Sequence, residues 1–212
     1  MTGNREDYIK VIYELGGERN KVSTKDIASA LDVSMPSVSE MLRKLADEKI
    51  LDYEVYKGVT LTSNGVREAV RIKKVHILWE VFLVDKLGYA LEDVHEEAEL
   101  LEHITSKKLE EKLEEYLGYP EICPHGTPLN HDEYLFDYLS LTKVAIDEIV
   151  RLKRFKDEKQ FLINIKDLDL KVDDVIQLKS YDSKNDVYTI HVNDKLIELP
   201  QAVASKIFVS KA

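Results

Sequence analysis

His76 and Glu80 stand four residues apart, and so do His95 and Glu99, then Glu99 and His103, with Glu102 beside the last pair. Residues three or four apart share one face of an α-helix, so each pair can aim two lone pairs at one point. Imidazole nitrogens and carboxylate oxygens in such numbers hold divalent ions. A solvated acidic face with helix-supporting pairs is the alternative, and it is the simpler reading of any single pair. The set His95, Glu99, Glu102 and His103, together with His76 and Glu80 on another segment, favours a metal site. Cys123 and His125, two apart in a Cys-Pro-His-Gly turn, can also converge on one ion. A buried cysteine beside a loop histidine is the equal alternative there.

Such side chains need rigid elements to carry them. Apolar spacing predicts a helix over Arg5–Leu15, closed by Gly16-Gly17, and a second over Thr24–Leu31 with Ser23 or Thr24 as its N-cap. A third runs from Met35 to about Lys49, with Ser34 as cap, Pro36 in its first turn, and Val38, Met41, Leu42 and Leu45 as its buried stripe. Ile50–Thr62 reads as a hairpin turning at Lys57-Gly58. Three short helices and a hairpin are the parts of a winged helix-turn-helix. Ser63–Leu87 reads as one long helix, followed by helices over Leu91–Ile104 and Lys107–Leu117, with Asp93 and Ser106 near their starts. Between Tyr89 and Ile122 eleven carboxylates face three lysines, an imbalance too local to serve solubility alone.

Gly118 to about Asp137 reads as a loop. Beyond it the texture turns to strands: Val144–Phe155, Asp174–Ser180, Val187–Val192, Lys195–Leu199 and Lys206–Val209, with helical spacing over Asp157–Leu168. The expected fold is mainly α with β, in three domains. Residues 1–64 form a winged helix-turn-helix, 65–140 an all-α metal-binding and dimerisation domain, and 141–212 a small SH3-like β-barrel.

The chain has 212 residues, a formal net charge of -10 and one cysteine. That charge excludes a histone-like, purely electrostatic nucleic-acid binder but not a sequence-specific one with its cations on one face. A lone cysteine forms no intrachain disulfide and suits a reducing compartment or a metal site. With no apolar run of membrane-spanning length and a polar start, a cytoplasmic protein without membrane contact is expected. The candidate DNA contacts are Ser34, Pro36, Ser37, Ser39, Arg43 and Lys44 of the third helix and Lys57 at the hairpin tip. Hydroxyls and a helix N-terminus suit phosphates and base edges, and the cations suit phosphates. A protein-binding winged helix is the alternative; a basic stripe of Arg67, Arg71, Lys73 and Lys74 favours DNA.

Three stretches, EDYIKVIYEL, DVSMPSVSEMLRKL and HEEAELLEHITSKKLEEKL, resemble the diphtheria-toxin-repressor family, in particular its manganese-responsive, streptococcal-type branch with a FeoA-type C-terminal domain. The resemblance spans nearly the whole chain. It implies a homodimeric repressor that binds double-stranded operator DNA when loaded with Mn(II) or Fe(II), with Zn(II) as a further possibility, and that controls metal-uptake genes. It implies one site from Asp7, Glu99, Glu102 and His103, Asp7 standing where iron-responsive members carry methionine. Some manganese members have a glutamate three residues after this Asp to hold a metal pair. Lys10 stands there in this chain, which puts such a pair in doubt. His76, Glu80 and His95 match the family's other site, and Glu80, Cys123 and His125 fit its streptococcal form, with Gln160 at the fourth position and Asp157 one turn away. Metal held between the first helix and the middle helices then fixes the domain angle that suits two half-sites. Two other classes stay open: a metal-dependent hydrolase, for which no nucleophile or phosphate loop is found, and a metal-independent winged-helix regulator. No enzyme is expected.

Overall fold

The computed structural model describes residues 5–54, 57–129 and 138–212. Val55 and Tyr56 of the expected hairpin, residues 130–137 of the expected loop and the first four residues lie outside the described residues. The chain packs as two compact units. One comprises Met1–His76 with Glu102–Thr105, the other Ile77–Leu101 with Ser106–Ala212.

The first unit opens with α1 (Arg5–Glu14), α2 (Thr24–Leu31) and α3 (Met35–Asp47), then strands β1 (Leu51–Glu54) and β2 (Gly58–Leu61). Ser23 Oγ accepts the Asp26 N–H and Ser34 Oγ the Ser37 N–H, so both expected caps form. α3 ends at Asp47, short of Lys49, because Lys49 turns to φ 60° and leads the chain into β1. β1 and β2 pair antiparallel with Tyr53 opposite Val59, and Val22 adds a bridge to Val59. Ile9, Ile12, Ile27, Val38, Leu42 and Leu45 are fully buried and form the centre of this core. The periodic apolar positions of three helices therefore meet in one place, as a winged helix requires.

α4 (Ser63–Leu87) starts in this unit and passes into the other after His76. The second unit continues with α5 (Leu91–Glu102), whose last residue belongs to the first unit, and α6 (Lys107–Leu117), capped by Ser106 and closed by Gly118 at φ 76°. Strands β3 (Leu139–Ser140), β4 (Ile149–Phe155), β5 (Val175–Asp182), β6 (Val187–Val192), β7 (Lys195–Pro200) and β8 (Ile207–Lys211) form an antiparallel sheet in the order β3-β8-β4-β5-β6-β7. α7 (Lys159–Ile165) and the short α8 (Gln201–Ala204) accompany it. Leu152, Phe155, Ile176, Leu178 and Ile190 fill its core.

Two expected boundaries shift for visible reasons. The strand expected from Val144 begins only at Ile149, because Leu141–Lys143 forms a 3-10 turn and Asp147 takes φ 67°. The helical stretch expected over Asp157–Leu168 is regular only over Lys159–Ile165 and tightens to 3-10 geometry over Lys166–Leu168.

The turn holding Cys123 and His125 is stapled to β4. Cys123 N–H donates to the Thr127 carbonyl at 2.8 Å, and Phe155 N–H to the His125 carbonyl at 2.9 Å. Gly126 has φ 89°, and a Cβ there would run into the Lys153 carbonyl oxygen. Gly88 has φ 73° but open space around it. Gly88→Ala is therefore expected to cost roughly 1–2 kcal/mol for the left-handed conformation alone, and Gly126→Ala clearly more, because β4 must also move. Thermal or urea unfolding of the two variants checks this; equal losses would mean that the turn does not press on β4.

Candidate metal centres and nucleic-acid interface

In the first unit His103 lies between two carboxylates of α1. Its Nδ1 is 2.7 Å from Glu6 Oε2 and its Nε2 2.9 Å from Asp7 Oδ1, with Glu102 Oε1 3.9 Å away. Burial alone would lower the imidazole pKa. The Glu6 hydrogen bond and the charges of Asp7, Glu102 and Glu6 outweigh it and hold the pKa above its ordinary value. Glu6 at Nδ1 fixes the ring so that Nε2 faces Asp7 and Glu102, as an outer partner of a ligating histidine does. The Glu102 side chain is fully buried; its Oε2 lies 2.5 Å from His76 Nδ1, and both its oxygens accept from Lys10 Nζ at 3.1 Å. Arg71 donates to the Thr105 carbonyl at 2.9 Å and so anchors the Glu102–Thr105 segment.

Of the expected first set, Asp7, Glu102 and His103 are thus brought together. Glu6 joins them although nothing in the sequence assigned it a place there, and Lys10 meets Glu102. Glu6 meets a partner 97 residues away, which no local spacing reveals. His76 Nδ1 also lies beside Glu102.

In the second unit Glu80, Cys123 and His125 are all buried, and one ligand atom from each lies within 4.8 Å of the others. His125 Nδ1 is 3.5 Å from Glu80 Oε1 and 3.9 Å from Cys123 Sγ, while Nε2 is 3.2 Å from the Leu91 carbonyl. A carbonyl only accepts, so Nε2 carries a proton, and Nδ1 faces the carboxylate and the sulfur. Burial opposes the charged ring. The bonds to Cys123 and Glu80 and the charges of Glu80 and Asp157 overcome it and push its pKa up to about 11. A site that draws a proton this strongly has the negative potential that a cation needs.

Asp157 and His95 lie beside this set. His95 Nδ1 lies 2.9 Å from Asp157 Oδ2 and 3.8 Å from Glu80 Oε1, and His95 Nε2 lies 3.6 Å from Glu99 Oε2. Burial raises the Asp157 carboxyl, but the His95 bond and the His125 and His95 charges win and lower it. Of the two expected alternatives at the fourth position, Asp157 therefore stands in the set. Gln160 is exposed on α7 and donates to Asn164 at 3.2 Å. The donor chemistry of both sets, oxygen and nitrogen in one and oxygen, nitrogen and sulfur in the other, fits divalent metal.

On the winged helix Ser34, Pro36, Ser37, Arg43 and Lys44 are exposed and Ser39 is half-buried. Ser34 and Ser37 hydroxyls lie 2.8 Å apart. Lys44 pairs with Glu40 at 2.8 Å and Lys57 with Glu54 at 2.9 Å. Lys25, Arg43 and Lys57 line one groove with Ser39 and Tyr53; Lys25 and Tyr53 escaped the sequence reading because they lie on α2 and β1 rather than on the third helix. No helix among the described residues is long and apolar enough to cross a membrane.

Residues 1–59 match the N-terminal DNA-binding domain of iron-dependent repressors, 62–130 their metal-binding and dimerisation domain, and 139–211 the FeoA domain. The HTH-type transcriptional regulator MntR of Oceanobacillus iheyensis is 36% identical over 118 residues, 56% of this chain and 80% of that protein. The manganese regulator SloR has a solved structure similar over the full length of both chains, with 38% identity and a TM-score of 0.73. A manganese-dependent transcriptional repressor in complex with manganese covers 99% of this chain and all of its own, with 29% identity and a TM-score of 0.87. With matches along its whole length, the chain belongs to the iron-dependent (diphtheria-toxin) repressor family, whose members are metal-dependent, DNA-binding transcriptional repressors and not enzymes.

Proposed function

We propose that this chain is a manganese-activated repressor that works in the cytoplasm, binds double-stranded operator DNA as a homodimer and controls metal-uptake genes. The observation that carries the reading is the convergence of Asp7, Glu102 and His103 in the same compact unit as the recognition helix α3. Two carboxylates and an imidazole favour a hard or borderline ion such as Mn(II) or Fe(II). The manganese-dependent relatives support Mn(II) among these. Glu99, one turn before His103 in the sequence, is the further ligand that the family resemblance adds. Asp7 sits on α1, and Glu102 and His103 on the short segment where the chain enters and leaves this unit. Joined through a shared ion, they hold that segment against α1. The holo arrangement is favoured by whatever affinity difference the ion has for it, and operator DNA tightens metal binding by the same factor.

The second ligand set is proposed as Glu80, Cys123, His125 and Asp157, with His95 alongside. Its thiolate suits Fe(II) or Zn(II) as well as Mn(II). Homodimerisation is supported by Leu87, Leu100, Leu109 and Tyr116, large apolar residues left exposed on α4, α5 and α6. DNA contact is assigned to Ser34, Pro36, Ser37, Ser39, Arg43, Lys44 and Lys57.

Asp7→Ala is expected to abolish Mn(II)-dependent operator retardation while leaving a folded dimer by circular dichroism and size exclusion; a normal Mn(II) response in this variant would sink the first-site reading. Cobalt(II) is a suitable probe of the second set. Wild-type protein should show a thiolate-to-cobalt charge-transfer band, and Cys123→Ser should lose it; a band that survives the substitution excludes Cys123 as a ligand. Arg43→Ala should weaken binding to all operator sequences alike if it meets phosphate, reducing the salt slope by about 1. Sequence-selective loss would instead assign Arg43 to a base edge.

A further inference from the structure

Glu40 is a carboxylate in the middle of a helix face that is otherwise suited to DNA. Val38 and Leu42 are fully buried, and Glu40 stands two positions from each. At roughly 3.6 residues per turn its side chain points about 160° away from both, to the centre of the outward face of α3. Pro36, Ser37, Arg43 and Lys44 are exposed around it. The Glu40 side chain is 68% exposed, and Lys44 Nζ donates to its Oε1 at 2.8 Å. That bond, with the charges of Lys44 and Arg43, holds the carboxyl below its ordinary pKa. The group therefore meets DNA ionised, with acceptors and no donor.

A duplex offers such a group few partners. Phosphate oxygens are anionic acceptors and repel it. In the major groove the donors are the amino groups of cytosine and adenine, and adenine sets its N7 acceptor beside the amine, where it opposes a carboxylate. Cytosine N4 presents its hydrogen with no acceptor next to it on the same base. We propose that Glu40 is a specificity-determining residue that reads a cytosine in each operator half-site, accepting its N4 hydrogen. Lys44 holds Oε1, which leaves Oε2 for the base. Glu40 is the sixth residue of α3, in the N-terminal half with which a recognition helix meets base edges. A carboxylate here trades affinity for selectivity, because every sequence without the cytosine meets a charge that its phosphates repel. The inference rests on the reading of α3 as the recognition helix and deepens it by assigning a base.

The test is selection of operators from a random duplex pool by the full-length, Mn(II)-loaded protein, wild type beside Glu40→Gln, Glu40→Ala and Lys44→Ala. Wild type should enrich cytosine at one position of each half-site. Glu40→Gln should change that position to adenine, because an amide pairs with both N6 and N7 of adenine. Glu40→Ala should lose the preference there and bind unselected DNA more tightly, since the repulsion is gone. Lys44→Ala should weaken binding to all sequences alike and keep the cytosine. Replacing that cytosine in the selected operator by a pyrimidinone without the exocyclic amine should weaken wild type roughly 5- to 150-fold and cost Glu40→Ala nothing. An unchanged base preference in Glu40→Gln and Glu40→Ala overturns the role of Glu40 and leaves DNA binding by α3 standing. Loss of the cytosine in Lys44→Ala as complete as in Glu40→Ala also overturns it, and reduces Glu40 to a holder of Lys44. Failure of wild type to enrich any sequence overturns the recognition-helix reading and the proposal with it. Glu40 lies outside the core, so Glu40→Gln should melt with wild type.

Discussion

Glu80 and Glu102 are carboxylates taken almost wholly out of water, 2% and 4% exposed. A buried carboxylate is tolerated only when positive charge or hydrogen-bond donors are brought to it. Much of the chain's unusual chemistry answers that constraint. Lys10 and His76 are turned onto Glu102, and His125 and His95 onto Glu80. His103 near Glu102 and His125 beside Glu80 are held towards their charged forms. That is the metal-free protein's way of balancing charge with protons. Metal ligation needs the neutral imidazole, so loading such a site releases protons and exchanges one counter-charge for another. The two units meet the same constraint with different means. The first keeps a permanent ammonium beside its carboxylate, while the second relies on imidazoles and on a thiol whose Sγ accepts the Thr127 N–H at 3.3 Å.

The same reasoning accounts for the acidic run of α5. Glu92 pairs with Lys166 and Glu96 with Lys159 at 2.7 Å, both lysines belonging to the segment after β4. Each pair is modest in energy, since one or both side chains are largely exposed. Their common effect is to set register between α5 and α7. That register brings Asp157, just ahead of α7, to His95 on α5 and near His125. The excess of carboxylates in this stretch is therefore divided between metal-type ligands and docking partners for the C-terminal module.

Local chemistry was legible in the sequence where it depends on neighbours along the chain. α2, α4 and α6 have the expected bounds, the Ser23, Ser34 and Ser106 caps form, and the winged helix and the FeoA-type sheet are both present. Helical spacing also foresaw the pairing of His95 with Glu99. What spacing could not give was any contact set by folding. Glu6 reaches His103, Lys10 reaches Glu102, and Arg71, read as part of a basic stripe that favours DNA, also bonds the Thr105 carbonyl. The start of β4 was misjudged because Asp147, in a left-handed turn, interrupts a run whose composition is strand-like.

The second ligand set has a property that follows from where its members lie. Glu80 comes from α4, His95 from α5, Cys123 and His125 from a turn, and Asp157 from the segment leading out of β4. The turn is itself bonded to β4 through Phe155 and closed against it at Gly126. The imidazole between Glu80 and Cys123 is further tied by Nε2 to the Leu91 carbonyl, the first residue of α5. Any movement of the C-terminal sheet against the helices therefore has to break ligand contacts and backbone hydrogen bonds together. On the proposed reading, an ion held by this set would stabilise the same arrangement as the docking of the FeoA-type module, so each would strengthen the other by linkage. The single cysteine gains its significance here: its sulfur is the one soft donor in a cluster otherwise made of oxygen and nitrogen, and the turn that carries it is the same turn that fixes the sheet.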